Sequence, residues 1–291
     1  MTPRFSFGGD EHLFIEFDEE MSLEACFTAL SLVAALREAR IRGVTEICPA
    51  NASALIRFAP EIIAPNDIQR EVQQILAQLS RASSAIQTRI IEVPVYYNDP
   101  WTRETLMKFR DRHQDPQSTD LEYSARINGY PSIESFVAAH AGTPFFVSMV
   151  GFIAGLPFMF QMAERAKQIQ TPKYLKPRLD TPKQAVVHGG SFSAVHTVRS
   201  PGGYQVFGIS PLPVFDMEGK VDFLKDINIL FNPGDIVKFA PIGRDEYDRQ
   251  AEEAERNRLE PRIRKVDFSL SEFQKDQADG ARKLVEVLYA D

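Results

Sequence analysis

Several things are scarce in this chain, and each scarcity excludes something. There is one tryptophan, and there are two cysteines and five histidines, in 291 residues. Cys26 and Cys48 show neither CxxC nor paired spacing, so a disulfide framework and a thiolate metal site are both excluded. They are expected to be buried core thiols of a reducing compartment. Positive charge is in deficit, 33 Lys+Arg against 40 Asp+Glu with a net charge of −7, which removes the long-range attraction that nucleic acid or an anionic membrane requires. No apolar run reaches spanning length and no charged-then-apolar leader follows Met1, so a soluble cytoplasmic protein is expected. Walker loops and Ser-His-Asp or Cys-His signatures are missing. What remains is a 44% hydrophobic chain, long enough for a substantial core and two domains.

The order of periodic segments predicts an α+β chain. Phe5 and Phe7 precede a Gly8-Gly9-Asp10 turn, and 12–17 alternates as a strand. Apolar residues at Leu23, Phe27, Leu30, Val33 and Leu36 predict a helix, after which 44–49 and 54–58 read as strands. Asp67 is the expected N-cap of a second helix carrying Ile68, Val72, Ile75, Leu76 and Leu79 on one face, and 86–93 returns as a strand. This β-α-β-β-α-β order is that of a ferredoxin-like split βαβ unit, predicted over 1–94. A barrel-forming domain is predicted over 95–242, with an insert at about 100–130, helical over 102–112 and irregular over 114–130, and strands at 227–231 and 236–239 around the Asn232-Pro233-Gly234-Asp235 turn. A helical extension is predicted over 243–291. It either packs back on its own body or serves as a docking arm.

The stretch around which the rest is organised is Ser200–Asp216. Pro201, Gly202 and Gly203 form a turn whose backbone carries little side chain, before Tyr204–Phe207 alternates as a strand. Such a backbone is either a plain hairpin or a place where a ligand or second chain approaches closely. Three other stretches accompany it. Gly151–Pro157 cannot be a helix interior, with glycines four apart and a proline after them; it reads as a loop crossing a pocket, with Phe152 as an apolar wall. Pro172, Pro177 and Pro182 keep the next segment extended, and Arg178 on it is either a solvated cation or an anion clamp. His188 and His196 flank a Gly189-Gly190 turn. In one frame they face a single cavity, as buried hydrogen-bonded imidazoles or as an acid–base pair. No third ligand at metal spacing accompanies them.

Gly151–Pro157 (GFIAGLP) resembles the GFxPGFP segment of the family containing the smaller carboxyltransferase-type subunit of 5-oxoprolinase, allophanate hydrolase subunit 1 and the kinase inhibitor KipI. TPKYLKPRLDTP, SPGGYQVFG and NPGDIVKFAPI resemble that family's TPR…PR…P, SPGGWxLIG and xPGDxVxFxPI segments in the same order, and Gly9-Asp10 with LFIEF resembles its opening strand. The resemblance spans about 8–242. It implies a cyclophilin-like β-barrel for the second domain and a larger partner of related fold, of the type of the larger 5-oxoprolinase subunit or allophanate hydrolase subunit 2. It also implies a small-molecule substrate, with biotin carried by a partner or ATP in the complex; no cofactor motif stands on this chain. Departures fall in the stretch before SPGG: the family's Gly-Ser pair is Gln184-Ala185 here, its glutamine is Phe192 and its tyrosine is His196. An amide that could orient a substrate has become a ring that can only pack, so substrate specificity is expected to differ.

The expected function is one subunit of a two-part carboxyltransferase or amide-hydrolysing enzyme acting on a small amide, lactam or carboxylated substrate. In that expectation His188, His196 and Arg178 are catalytic. Gly151, Phe152, Gly155, Pro157, Phe192, Pro201, Gly202, Gly203 and Tyr204 bind substrate. Two alternatives stand beside it: a KipI-type binding module acting on a sensor kinase, and an autonomous hydrolase, which no motif supports.

Overall fold

Alternating apolar residues build the first sheet. In the computed structural model, which describes residues 2–79 and 85–290, β1 (Arg4–Gly8), β2 (His12–Glu16), β3 (Val44–Ala50) and β4 (Ser53–Phe58) pair antiparallel in the order β1-β2-β4-β3. Helix α1 (Leu23–Ala39) starts where the Ser22 hydroxyl accepts the Ala25 N–H at 3.1 Å, and ends at Arg40 in a left-handed conformation. Helix α2 (Pro65–Leu79) opens on a proline, which loses nothing at a first-turn position, so Asp67 lies inside the helix and is not its cap. Leu13, Ile15, Ile56 and Phe58 of the strands share one core with Leu32, Leu36, Ile68 and Val72 of the helices.

The predicted closing strand does not join this sheet. β5 runs unbroken over Ala85–Tyr97 and belongs to a second, larger sheet, while β1 supplies the edge of the first. The reason is on the strand itself. Ile90, Ile91, Val93 and Val95 are all fully buried, the pattern of a strand covered on both faces, which an edge position cannot satisfy.

The chain divides into two units, 1–86 with 267–275 and 87–266 with 276–291. In the larger, β6 (Phe145–Val150), β7 (Pro157–Gln161), β9 (Ala185–Gly189), β10 (Phe192–Val195), β12 (Gln205–Ile209), β13 (Ile236–Pro241) and β14 (Ile263–Ser269) join β5 in the order β12-β9-β10-β7-β6-β13-β5-β14. Gly208 and Ile209 pair back onto Tyr97 and Tyr96, so the sheet closes on itself. A side chain at Gly208 would run into the Tyr96 carbonyl and stand 2.8 Å from the Tyr97 Cα, which is why glycine occupies the closure. A separate ribbon pairs β8 (Arg178–Thr181) with β11 (Ser200–Gly202).

Apolar residues fill the closed sheet: Val93, Phe145, Val147, Met159, Val186 and Val237 lie in one cluster. At one end α5 (Ile133–Gly142) inserts His140, and a chain of hydrogen bonds runs through the interior. Tyr97 OH lies 2.8 Å from His140 Nδ1, His140 Nε2 lies 2.9 Å from Ser193 Oγ, Ser193 Oγ lies 2.8 Å from His188 Nδ1, and His188 Nε2 lies 3.0 Å from the Ile169 carbonyl. A carbonyl only accepts, so His188 Nε2 carries a proton, and every other donor in a neutral chain is then assigned. Tyr97 donates to His140, His140 to Ser193, and Ser193 to His188.

Other expectations are corrected. Residues 227–231 form no strand, only a single bridge from Ile229 to Phe215. Within 100–130, beyond α3 (Pro100–Met107), lies a helix, α4 (Asp120–Ile127), started by a reciprocal Thr119–Glu122 capping box. The 243–291 stretch is not purely helical: between α6 (Arg244–Glu255) and the pair α7 (Leu270–Lys275) and α8 (Gln277–Tyr289) it contributes β14. Cys26 is buried as expected, but Cys48 is exposed.

Candidate functional site

Strand pairing decides which predicted residues meet. In the β9–β10 hairpin Phe192 pairs with Gly189, Ser193 with His188, Ala194 with Val187 and Val195 with Val186. Partners across an antiparallel pair share a face, so His188 and Ser193 point into the interior with Val186 and Val195. Val187 and Ala194 point outward, and His196, two residues beyond Ala194, follows them. The two histidines therefore lie on opposite faces and not in one cavity.

The outward face carries a hollow of about 390 Å³. Val187 and Ala194 floor it beside His196. Pro201, Gly202, Gly203 and Tyr204 form one wall, and Phe152 and Leu156 of the 151–156 loop with Phe158 of β7 form another. Lys173, Tyr174 and Pro177 complete the lining, which contains no aspartate or glutamate. The Gly203 carbonyl accepts the Tyr174 N–H at 2.8 Å, tying two walls together, while the Gly203 N–H has no acceptor among the described residues. A side chain on Gly202 would come within 2.7 Å of Thr181 Oγ1 and 3.2 Å of the His196 ring, so the close approach of β11 to His196 depends on glycine.

Six of the predicted site residues thus come together: Phe152, His196, Pro201, Gly202, Gly203 and Tyr204. The others do not line the hollow. Gly155, at φ +71°, has a packing role, since a side chain there would lie 2.7 Å from Ile229 Cγ2. Gly151 closes the loop through a 3.0 Å bond from its N–H to the Leu156 carbonyl, and Pro157 begins β7. Phe192 stands behind the wall, its ring 6.1 Å from that of Phe158 and 5.9 Å from that of Phe160. His188 belongs to the interior chain, where burial lowers its pKa to about 4.

Arg178 is neither solvated nor a clamp. It is fully buried, donating to the Tyr204 carbonyl at 2.8 Å and to Thr181 Oγ1 at 3.2 Å, with its guanidinium 4.4 Å over the Tyr174 ring. Behind the hollow it shares a single carboxylate with a second buried arginine. Asp120 Oδ1 accepts from Arg110 Nη1 and from Tyr174 OH, each at 2.6 Å, and Oδ2 accepts the Val206 N–H at 2.7 Å and lies 3.8 Å from Arg178 Nη1. Asp120, Arg110 and Tyr174 escape a reading of the sequence. The one signal is the Thr119-x-x-Glu122 box, which places Asp120 in a first helical turn.

His196 is the imidazole of the hollow. Its Nδ1 lies 3.2 Å from Ser200 Oγ, and its Nε2 is turned toward Gly202, 3.3 Å from where a Cβ on that glycine would stand. Burial first and the Arg178 charge second lower its pKa to about 4, so it is neutral at physiological pH. Among the described residues no group of three His, Cys, Asp or Glu side chains is placed to hold a metal, and no helix is long and apolar enough to cross a membrane.

The sequence profile described as carboxyltransferase domain, subdomain C and D, matches residues 3–224. A 5-oxoprolinase subunit of Bacillus subtilis is 27% identical over 266 residues, covering 87% of this chain and 100% of its own length. The corresponding 5-oxoprolinase subunit of Escherichia coli O157:H7 is 30% identical over 202 residues, covering 68% of this chain and 78% of its own length. Among solved structures, the urea amidolyase of K. lactis superposes with a TM-score of 0.81 at 18% identity, covering 99% of this chain and 18% of that one. The chain therefore spans the whole of one bacterial relative and less than a fifth of the yeast enzyme whose fold it shares.

Proposed function

Because the chain belongs to the carboxyltransferase-domain family, subdomain C and D, we propose that it is one subunit of a two-part enzyme of the carboxyltransferase or 5-oxoprolinase type, acting on a small amide, lactam or carboxylated substrate. A larger partner of related fold completes the site, in the cytoplasm. In this reading the closed sheet is a cyclophilin-like barrel. The smaller unit is a ferredoxin-like variant whose edge strand comes from the N-terminal hairpin.

The observation that carries the proposal is the rim of the hollow. Phe152 of the lining is 76% exposed, and Leu175 and Leu179, just beyond the lining residues Tyr174 and Pro177 in the chain, are 72% and 64% exposed. Phe152 is held there at φ +71°, a conformation a bulky residue adopts only when its surroundings impose it. Exposed apolar residues around a half-open site suit a surface that another polypeptide covers. A KipI-type module would need a surface for a kinase, whereas the chemistry-bearing groups here converge on a small-molecule hollow.

Within it, the free Gly203 N–H is placed to stabilise an oxyanion, and His196 Nε2 is placed to move a proton. Arg178 and Asp120 act behind the wall by positioning Tyr174 and the Tyr204 backbone. The lining has one lysine for a triphosphate, and neither a carboxylate nor a side-chain amide for the ureido N–H groups of biotin. Neither group fits this hollow, so each is assigned to the partner and no step here runs through it.

The test is coexpression with a large subunit of the 5-oxoprolinase or allophanate hydrolase type from the same genome, followed by assays of ATP-dependent lactam opening and biotin-linked carboxyl transfer. A copurifying complex active in one of them, with His196→Gln reducing kcat by about a hundredfold, is the expected result. A chain that captures no large subunit and supports neither reaction refutes the proposal.

A further inference from the structure

The charges around the hollow do not balance. Among the described residues Asp120 is the one carboxylate within 4 Å of the two buried guanidiniums, 2.6 Å from Arg110 and 3.8 Å from Arg178, and Arg178 Nε is buried without a hydrogen-bonding partner. Asp180, on β8 with Arg178, is engaged at the surface by Arg199 in a two-point ion pair. Lys173, on the rim, has no carboxylate partner among the described residues and lies with Nζ 5.3 Å from the centre of the Tyr204 ring. Glu122 and Asp180 act on the two guanidiniums only at longer range, so Arg178 has no carboxylate in hydrogen-bonding contact, and a buried charge so placed favours a nearby anion. Lys173 and Gly203 both line the hollow, and neither Lys173 Nζ nor the Gly203 N–H has an acceptor among the described residues. Its remaining walls are apolar, from Phe152, Leu156, Phe158, Val187 and Tyr204.

We infer that the hollow binds an organic carboxylate with an apolar, ring-sized body, the carboxylate meeting Lys173 and the Gly203 N–H in the field of Arg178 while the body fills the space between Phe158, Val187 and Tyr204. This deepens the proposed function by naming the substrate class of the same hollow, and it rests on that reading only for calling the ligand a substrate. The volume lies within the range of about 300–1,000 Å³ usual for small-molecule sites. A small, wholly polar amide would leave these walls unfilled and Lys173 without an anionic partner.

The test uses the isolated full chain and three probes, read by calorimetry at low salt: phenylacetate, its uncharged counterpart phenylacetamide, and acetate. Phenylacetate is expected to bind at least about tenfold more tightly than phenylacetamide, because bonds to an ionised acceptor are the stronger ones. It should exceed acetate by about thirtyfold, because acetate buries no ring. Lys173 is exposed, so its variants fold: Lys173→Met should cost about tenfold for phenylacetate and nothing for phenylacetamide, and Lys173→Arg should restore most of the loss. Equal binding of the acid and the amide, binding of neither, or indifference to Lys173→Met overturns the inference. The measurement needs no partner and no turnover. A chain that selects phenylacetate inside an inactive complex counts against the two-part enzyme, and an active complex without that selectivity counts against the carboxylate.

Discussion

Replacing Asp120 with asparagine should be among the most destabilising single changes available in the larger unit. The carboxylate takes two bonds at 2.6 Å and one at 2.7 Å, and has Arg178 at 3.8 Å. Asparagine nearly preserves the shape and removes the charge. Stripping the counter-ion from buried guanidiniums costs about 3–5 kcal/mol. The amide must also turn its NH₂ toward one of the former donors; with Oδ1 kept for Arg110 and Tyr174, the loser is the Val206 N–H, at about 1–2 kcal/mol more. A total of about 5 kcal/mol is comparable with the whole stability of many domains. Urea unfolding followed by far-UV circular dichroism should show the midpoint collapsing in Asp120→Asn. The double variant Asp120→Asn/Arg110→Met tests the cause, because it removes one of the two orphaned charges and should recover part of the loss. A single-variant loss under about 2 kcal/mol, or a double variant less stable than the single one by the full cost of Arg110→Met alone, would show that the ion network does not carry this region.

Three further outcomes follow from the same contacts. His188 and His140 are buried neutral, His188 with a pKa lowered to about 4 and His140 lowered in the same direction, both by desolvation first. The unfolded chain therefore takes up protons first as pH falls below about 6.5, and stability that is complete above that value should decline toward pH 4, by roughly 3 kcal/mol for His188 alone; a urea midpoint unchanged between pH 7.5 and 4.5 contradicts the neutral chain. Ser193→Ala should orphan one nitrogen on each of these histidines and cost about 2–4 kcal/mol in the same unfolding assay at pH 7.5, and a loss below 1 kcal/mol would mean the hydroxyl is not the bridge. Gly189→Ala should drive its methyl into the Tyr204 ring, 2.6 Å from Cε1, costing about 1–3 kcal/mol and weakening phenylacetate binding; the neighbouring Gly190→Ala, at φ +60° with open space around it, should cost about 1 kcal/mol and leave binding intact.

Much of the hollow is legible in the sequence because glycine and proline fix backbone shape locally. The loop before Pro157 is found where it is predicted, whereas Pro201 and Gly202, predicted to turn, lie in β11, which pairs with β8; together the two stretches bring Phe152 and Tyr204 to one site. The histidines are misjudged for a geometric reason. Positions 188 and 196 have equal parity, which would put them on one face of a continuous strand. The hairpin, however, pairs 188 with 193, so residues of equal parity on its two arms look in opposite directions. A shift of one residue in the turn would reverse the result, and composition at Gly189-Gly190 does not specify that shift. Arg178 is misjudged because its counter-ion lies 58 positions earlier in the chain, on a helix announced only by its capping box. The final strand of the smaller unit is misassigned because an apolar run reads alike in either sheet until both faces are seen to be covered.

The position of the hollow outside the closed sheet follows from how the inside is used. Small closed sheets either fill their interior with side chains or leave room for a ligand. Here Phe145, Phe207, Phe239 and His140 stack edge and face around the interior hydrogen-bond chain, each polar atom of which has its partner. An interior chain so satisfied leaves none of its own donors vacant for a substrate. On the outer face Ala194, Gly202 and Gly203 keep side chains short, and the 151–158 and 173–177 segments contribute the rest of the lining around them. A site on the outside of a barrel cannot exclude water by its own closure. That requirement, more than any single residue, is what the exposed Phe152, Leu175 and Leu179 answer in the proposed two-part enzyme: the second polypeptide is the lid, and the chemistry waits until it is seated.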